Sequence, residues 1–278
     1  MSVIDAKYLL LLNKVLMRGV KRESRVGSTL SLFGEIITVP LSFTTLPLLT
    51  CRKMYPAGIV GELAAFIRGC TTEAEFRAFG CNYWKGNAEV WPQNYSVPES
   101  QWQLGPIYGA QWRNWRGADG VVVDQLANLV EGIKRDPLSR RHVLTTWQPA
   151  ELDSMCLPPC HLLAQFYVTN DGELDCAVYM RSVDVVLGLP ADIMLYGMLT
   201  MLIAKETGYK PGRLTMLLGD THVYTRHIDI ARQMYAEIDH PIPRCILDSD
   251  STLFDFIPSD LEIIYNEHGD KLTFEINV

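Results

Sequence analysis

Residues 161–182, HLLAQFYVTNDGELDCAVYMRS, read as two strands joined by a tight turn. β-type residues flank Asn170-Asp171-Gly172, a composition that marks a hairpin loop. HVLTTWQP (142–149) and RLTMLLGDTHVY (213–224) have the same strand-like content. Between the hairpin and the last of these, DIMLYGMLTMLIAKETG (192–208) is a long apolar helix suited to lie against a sheet. Toward the N-terminus, Tyr8, Leu9, Leu12, Val15 and Leu16 mark one side of an amphipathic helix. STLSLFGEIITVPL (28–41) is strand-like with a turn at Gly34, and GIVGELAAFIRG (58–69) is a buried helix ending at Gly69. DQLANLVEGIKRDP (124–137) is a helix that stops at Asp136-Pro137. Residues 82–115, rich in Trp, Tyr, Gly and Pro, predict long loops with an aromatic surface. No repeat or Gly/Ser linker divides the chain, so the expectation is one α+β domain over residues 1–278.

Almost half of the 278 residues are apolar, enough for a large core. A net charge of −7 argues against general nucleic-acid binding, which needs a basic face. It leaves room for a small anionic ligand held by a few clustered arginines. Seven cysteines form no regular framework, and the N-terminal stretch lacks a signal-peptide cleavage site. With no run that reads as membrane-spanning, the expected setting is reducing and cytoplasmic.

Chemistry concentrates in MCLPPCHLLAQFYV (155–168), where two prolines stiffen the approach to Cys160. A thiol there acts as a nucleophile if nearby cations lower its pKa, and is otherwise a small buried hydrophobe. A metal held by Cys156, Cys160 and His161 is disfavoured, because no second ligand pair of zinc spacing exists. Arginines stand beside hydroxyls at Ser139-Arg140-Arg141 and Arg181-Ser182, and Arg25 lies in SRVGST (24–29). Their conjunction in an acidic protein points to a phosphate. His222 and Tyr224 alternate along a strand and so face one side, as a pair able to bond a sugar hydroxyl.

LGPIYGAQWR (104–113), DPLSRR (136–141), LPPCH (157–161), QFYV (165–168), RSVDVVLGLP (181–190) and GDTHVY (219–224) resemble, in order, the motifs of the thymidylate synthase superfamily. The resemblance implies that family's fold, a mixed sheet flanked by helices, paired sheet-to-sheet in a homodimer. It implies that Cys160 adds to C6 of a pyrimidine nucleotide, making C5 a nucleophile toward the cosubstrate 5,10-methylenetetrahydrofolate, without a metal. Arg25, Arg181 and Ser182 would grip the 5′-phosphate, with Arg140 and Arg141 supplied by the other subunit. His222 and Tyr224 would bind the sugar 3′-hydroxyl. Glu62 would organise water and proton transfer, Tyr108 would relay protons, Asp184 would stand near the pterin, and Trp91 would pack on the folate.

The chain departs from the main pattern at Asp192, where thymidylate synthases carry asparagine. Cytosine presents an acceptor at N3 and a donor at its 4-amino group, an edge that a carboxylic acid can match. The bland alternative makes Asp192 a helix N-cap. Met180, the DVV run (184–186), Asp192 and Arg226 resemble bacteriophage deoxycytidylate hydroxymethylases. That resemblance implies hydroxymethyl transfer to dCMP, water quenching the methylene intermediate. Next come a dCMP methyltransferase releasing dihydrofolate, thymidylate synthase acting on dUMP, and a non-catalytic nucleotide-binding homologue. The tail YNEHGDKLTFEINV (265–278) lacks the prolines of the synthase tail, which leaves closure of the site open and favours water.

Overall fold

The computed structural model describes residues 1–236, 239–248 and 250–275. Among them, six strands form one mixed sheet: β1 (Val20–Ser24), β2 (Gly27–Pro40), β5 (Val143–Thr145), β6 (His161–Val168), β7 (Glu173–Asp184) and β8 (Lys210–Tyr224). Their order is β1-β2-β8-β7-β6-β5, antiparallel except at the β7–β8 pair. Two short ladders lie apart from it, β3 (Trp115–Arg116) with β4 (Val122–Val123) and β9 (Arg244–Leu247) with β10 (Leu261–Ile264). The β6–β7 turn is the hairpin expected from the sequence, with Gly172 at φ 75°.

Parallel neighbours need a crossover, and α7 (Gly188–Thr207) supplies it between β7 and β8. It packs against both strands and against α2 (Pro56–Arg68) and α6 (Gln125–Arg135). By length and composition α7 could cross a membrane, contrary to the expectation that no segment could, but 78% of its apolar window is buried inside the fold. Burial on every side explains why it carries no polar stripe. The helix also begins earlier than the sequence suggested. Its N-cap is Leu187, so Asp192 lies inside the helix and caps nothing there. The capping reading of Asp192 is thereby removed.

Two further expectations need correction. Gly34 makes no turn: β2 runs through it, and Phe33↔Asp220 and Glu35↔Leu218 keep one register against β8 on both sides. Residues 82–115 are loop with exposed aromatics only in part, as at Tyr83 and Tyr95. They include α4 (Lys85–Val90) and α5 (Tyr108–Arg113), and Trp84 and Trp112 are buried. α3 (Glu73–Ala78) precedes them, held by a capping box between Thr72 and Glu75.

The N-terminal helix α1 (Val3–Arg18) buries Tyr8, Leu9, Leu12 and Val15 against the sheet. The Tyr8 hydroxyl donates to Val185 O at 2.9 Å, which ties α1 to the turn leaving β7. Truncating a buried side chain of this size costs about 3–5 kcal/mol. At Gly109 the backbone of α5 comes against that of α2: a Cβ there would lie 2.2 Å from Phe66 O. The short α8 (Ile228–Ala231) follows β8.

Candidate active site

The ends of β7 and β8 and the start of β6 converge with α2, α4, α5 and α7 on a cleft of about 330 Å³. The parallel register sets Ser182 beside Asp220 and Asp184 beside His222. Asp184 also shapes the exit from β7, because its Oδ1 accepts from Val186 N at 2.9 Å and Leu187 N at 3.0 Å. One carboxylate thus both lines the cleft and turns the strand into α7.

Cys160 sits at the start of β6. Its backbone N–H donates to the Tyr108 hydroxyl at 2.9 Å. Burial pushes its thiol pKa up; the Arg181 charge and a Tyr108 hydrogen bond pull it down, and Asp192 adds to the rise. Arg181 does not line the cleft. Its Nε donates to Pro159 O and its Nη2 to Pro158 O, both at 2.7 Å, and its backbone N–H donates to Cys160 O at 2.8 Å. The guanidinium therefore staples the proline-stiffened loop that presents the thiol.

Behind the cysteine lies an aromatic stack. The His161 ring lies 4.0 Å from the Tyr108 ring, which stacks on Phe66 at 5.0 Å. His161 Nδ1 is 2.6 Å from the Tyr196 hydroxyl, and its Nε2 is 3.8 Å from Asp192 Oδ1. Burial drives the His161 pKa down to about 3, so the ring is neutral near pH 7. Burial, followed by the charges of Glu62 and Asp184, holds the Asp192 carboxyl well above the usual carboxylate range. With the His161 ring neutral, the 3.8 Å contact is no ion pair. Asp192 keeps 17% side-chain exposure and opens on the cleft.

Glu62, from the middle of α2, accepts a hydrogen bond from Trp84 Nε1 at 2.9 Å. Desolvation pushes its pKa up to about 7, and the Trp84 bond opposes that rise. Such a group can both hold and release a proton near neutrality. Trp84, Asn87 and Tyr83 form the wall beside it. At the other end, His222 and Tyr224 pack edge-to-face at 5.3 Å, sharing one side as their alternation predicts. Arg226 lies over the Tyr224 ring, 4.3 Å from its centroid.

Of the residues singled out in the sequence, Glu62, Tyr108, Cys160, Ser182, Asp184, Asp192, His222 and Tyr224 line this cleft together. Arg25 is exposed in the β1–β2 turn, and Arg140 and Arg141 are exposed ahead of β5, outside the lining. Trp91 is not brought to the cleft either; it ends α4, while Trp84, seven residues earlier, faces Glu62. Sequence reasoning missed Trp84, Asn87 and Tyr196. An aromatic-rich stretch offers several tryptophans, and its short helices give no long periodicity from which to choose one. Among the described residues no group of three His, Cys, Asp or Glu side chains is arranged to hold a metal.

The C-terminal segment docks beside this cleft. Gly269 N donates to Thr50 O at 2.8 Å, and His227 Nε2 donates to Glu275 O at 3.0 Å. Phe274 is buried between the His227 ring at 5.3 Å and the Arg52 guanidinium at 5.2 Å. The last part of the tail that bears on closure, residues 276–278, lies outside the described residues.

The family model described as thymidylate synthase matches residues 6–278. The chain belongs to the thymidylate synthase family. It is 39% identical over 274 residues to the bifunctional dihydrofolate reductase-thymidylate synthase of Leishmania major, covering 94% of this chain and 52% of that protein. The protein of the same name from Leishmania amazonensis is 40% identical over 273 residues, with the same coverage. The chain thus spans about half the length of these curated relatives. The mixed sheet flanked by helices is the thymidylate synthase type of fold.

Proposed function

We propose that this chain transfers a one-carbon unit from 5,10-methylenetetrahydrofolate to C5 of a pyrimidine deoxynucleotide, with Cys160 as the nucleophile and dCMP as the preferred substrate. The observation that carries the base preference is that a carboxyl, Asp192, faces the cleft. A carboxyl oxygen accepts from the cytosine 4-amino group whether the acid is neutral or ionised. Uracil O4 is met only when that oxygen bears the proton. The names of the relatives favour the other base, since both are thymidylate synthases. The same names favour methyl transfer over the hydroxymethyl outcome that the phage resemblance implied, so the proposed product is the 5-methyl nucleotide.

In this reading Arg181 presents the Cys160 sulfur through the carbonyls of Pro158 and Pro159. Addition of sulfur to C6 makes C5 a carbon nucleophile, and the folate supplies the electrophilic methylene. Trp84 gives a flat heterocycle an aromatic surface, and Asn87 adds a polar side chain to the same wall. Glu62, titrating near pH 7, is suited to move protons at the base. The homodimer that would bring Arg140 and Arg141 to a neighbouring cleft belongs to the same proposal.

Incubation with dCMP or dUMP plus methylenetetrahydrofolate, with products identified by mass, tests the reading. Expected is a 5-methyl product of dCMP with one dihydrofolate formed per turnover. A faster reaction with dUMP would overturn the base assignment, and a 5-hydroxymethyl product without dihydrofolate would overturn the product assignment. No product from either nucleotide would overturn the enzymatic reading.

A further inference from the structure

We propose that Arg226 binds the phosphate end of the nucleotide. This inference rests on the nucleotide reading above. Arg226 is the one arginine or lysine among the described residues that line the cleft, whose wall also carries the carboxyls of Glu62, Asp184 and Asp192. Arg181 gives its Nε and Nη2 to the carbonyls of Pro159 and Pro158, Arg25 stands in an exposed turn outside the lining, and Arg140 and Arg141 would come from the other subunit of the proposed dimer. A phosphate dianion brought into such a wall needs cations, and Arg226 is the one that the lining itself supplies.

Its position fits the task. Nη1 donates to Val26 O at 3.3 Å, within the β1–β2 turn that carries Arg25. The guanidinium also stacks on Tyr224, so it stands between that turn and the side chains suited to the sugar hydroxyl. Its remaining donors, Nε and Nη2, are buried without a partner. Those two nitrogens form one edge of the guanidinium fork, the edge that meets two oxygens of one phosphate. Buried donors without acceptors carry an uncompensated desolvation cost, so a rotation that turns the fork onto phosphate oxygens runs downhill.

The test is equilibrium binding of dCMP, dUMP, deoxycytidine, deoxyuridine and inorganic phosphate to the full chain and to Arg226→Gln. Expected is a loss of about 10- to 150-fold in affinity for both nucleotides, the range for a hydrogen bond to a charged group. Nucleoside affinity should stay within about two-fold, and Arg226→Lys should restore part of the loss by keeping the charge. Equal weakening of nucleotide and nucleoside, or an unchanged nucleotide affinity, would overturn the proposal. If Arg226 acted only by anchoring the turn of Arg25, its effect would vanish in an Arg25→Gln background; persistence there supports direct contact. Should the wild type bind no nucleotide, the functional reading fails by itself. Inorganic phosphate then decides the site: binding that Arg226→Gln removes keeps it, and absence of binding overturns it. Arg226→Lys serves the same comparison if the glutamine variant does not fold.

Discussion

The two ends of the cleft are built on opposite principles. At the base end, Glu62, Cys160, His161 and Asp192 are desolvated, and their protonation states are set by burial more than by partners. At the other end, where the proposal seats the sugar and phosphate, Tyr224 and Arg226 meet an exposed turn that carries Arg25. In the proposed reading, the bond-making groups are tuned by exclusion of water, whereas the anion is met by fixed positive charge. Substitutions at the base end should therefore change chemistry and pH dependence, and those at the other end should change affinity.

The sharpest break in that comparison is Cys160→Ala. It should remove turnover by several orders of magnitude while nucleotide binding, measured separately, persists. Turnover surviving in that variant would remove sulfur addition from the mechanism. Next in size, Asp192→Asn should move the dCMP-to-dUMP ratio of kcat/KM toward dUMP by roughly 5- to 150-fold, the span of a buried polar mismatch of about 1–3 kcal/mol. An unchanged ratio would take base reading away from that residue.

Trp84→Phe deletes the donor that favours ionised Glu62, so its pKa should rise above about 7. The acid limb of the rate profile, if Glu62 acts as the base, then moves to higher pH; an unmoved limb would exclude that role. Stability offers a smaller, independent check. His161 is neutral when folded, with a pKa of about 3 against an ordinary 6.5. The unfolded chain thus takes up its proton first, and this contribution is present above pH 6.5 and lost as pH falls toward 3. His161→Gln should flatten the acid side of a denaturation midpoint curve in that window. The least effect is expected of Tyr108→Phe, which loses the bond to Cys160 N, about 0.5–1.5 kcal/mol in thermal or denaturant unfolding.

Much of this was legible in the chain because periodic patterns report burial directly. The 161–182 hairpin, the α2 and α6 boundaries and the shared face of His222 and Tyr224 follow from alternation, glycine and proline. Gly34 misled because a glycine within a strand has the same composition as a turn, and only pairing with β8 distinguishes them. Arg181 was read as a phosphate ligand; that two of its guanidinium nitrogens bond the carbonyls of Pro158 and Pro159 is a detail that no local pattern encodes. Tyr196 looked like one apolar position of a buried helix; its hydroxyl acquires a partner only when β6 brings His161 alongside.

The contact at Gly109 has a consequence beyond packing. Glu62 lies one helical turn before Phe66, and Tyr108 precedes Gly109, so two cleft-lining side chains flank a seam where main chain touches main chain. With no side chain at Gly109 to give way, the spacing of the helices at this point is fixed by main chain against main chain. A methyl group at Gly109 would wedge both groups out of alignment together, so at this seam the accuracy of the site has a narrower tolerance than the fold.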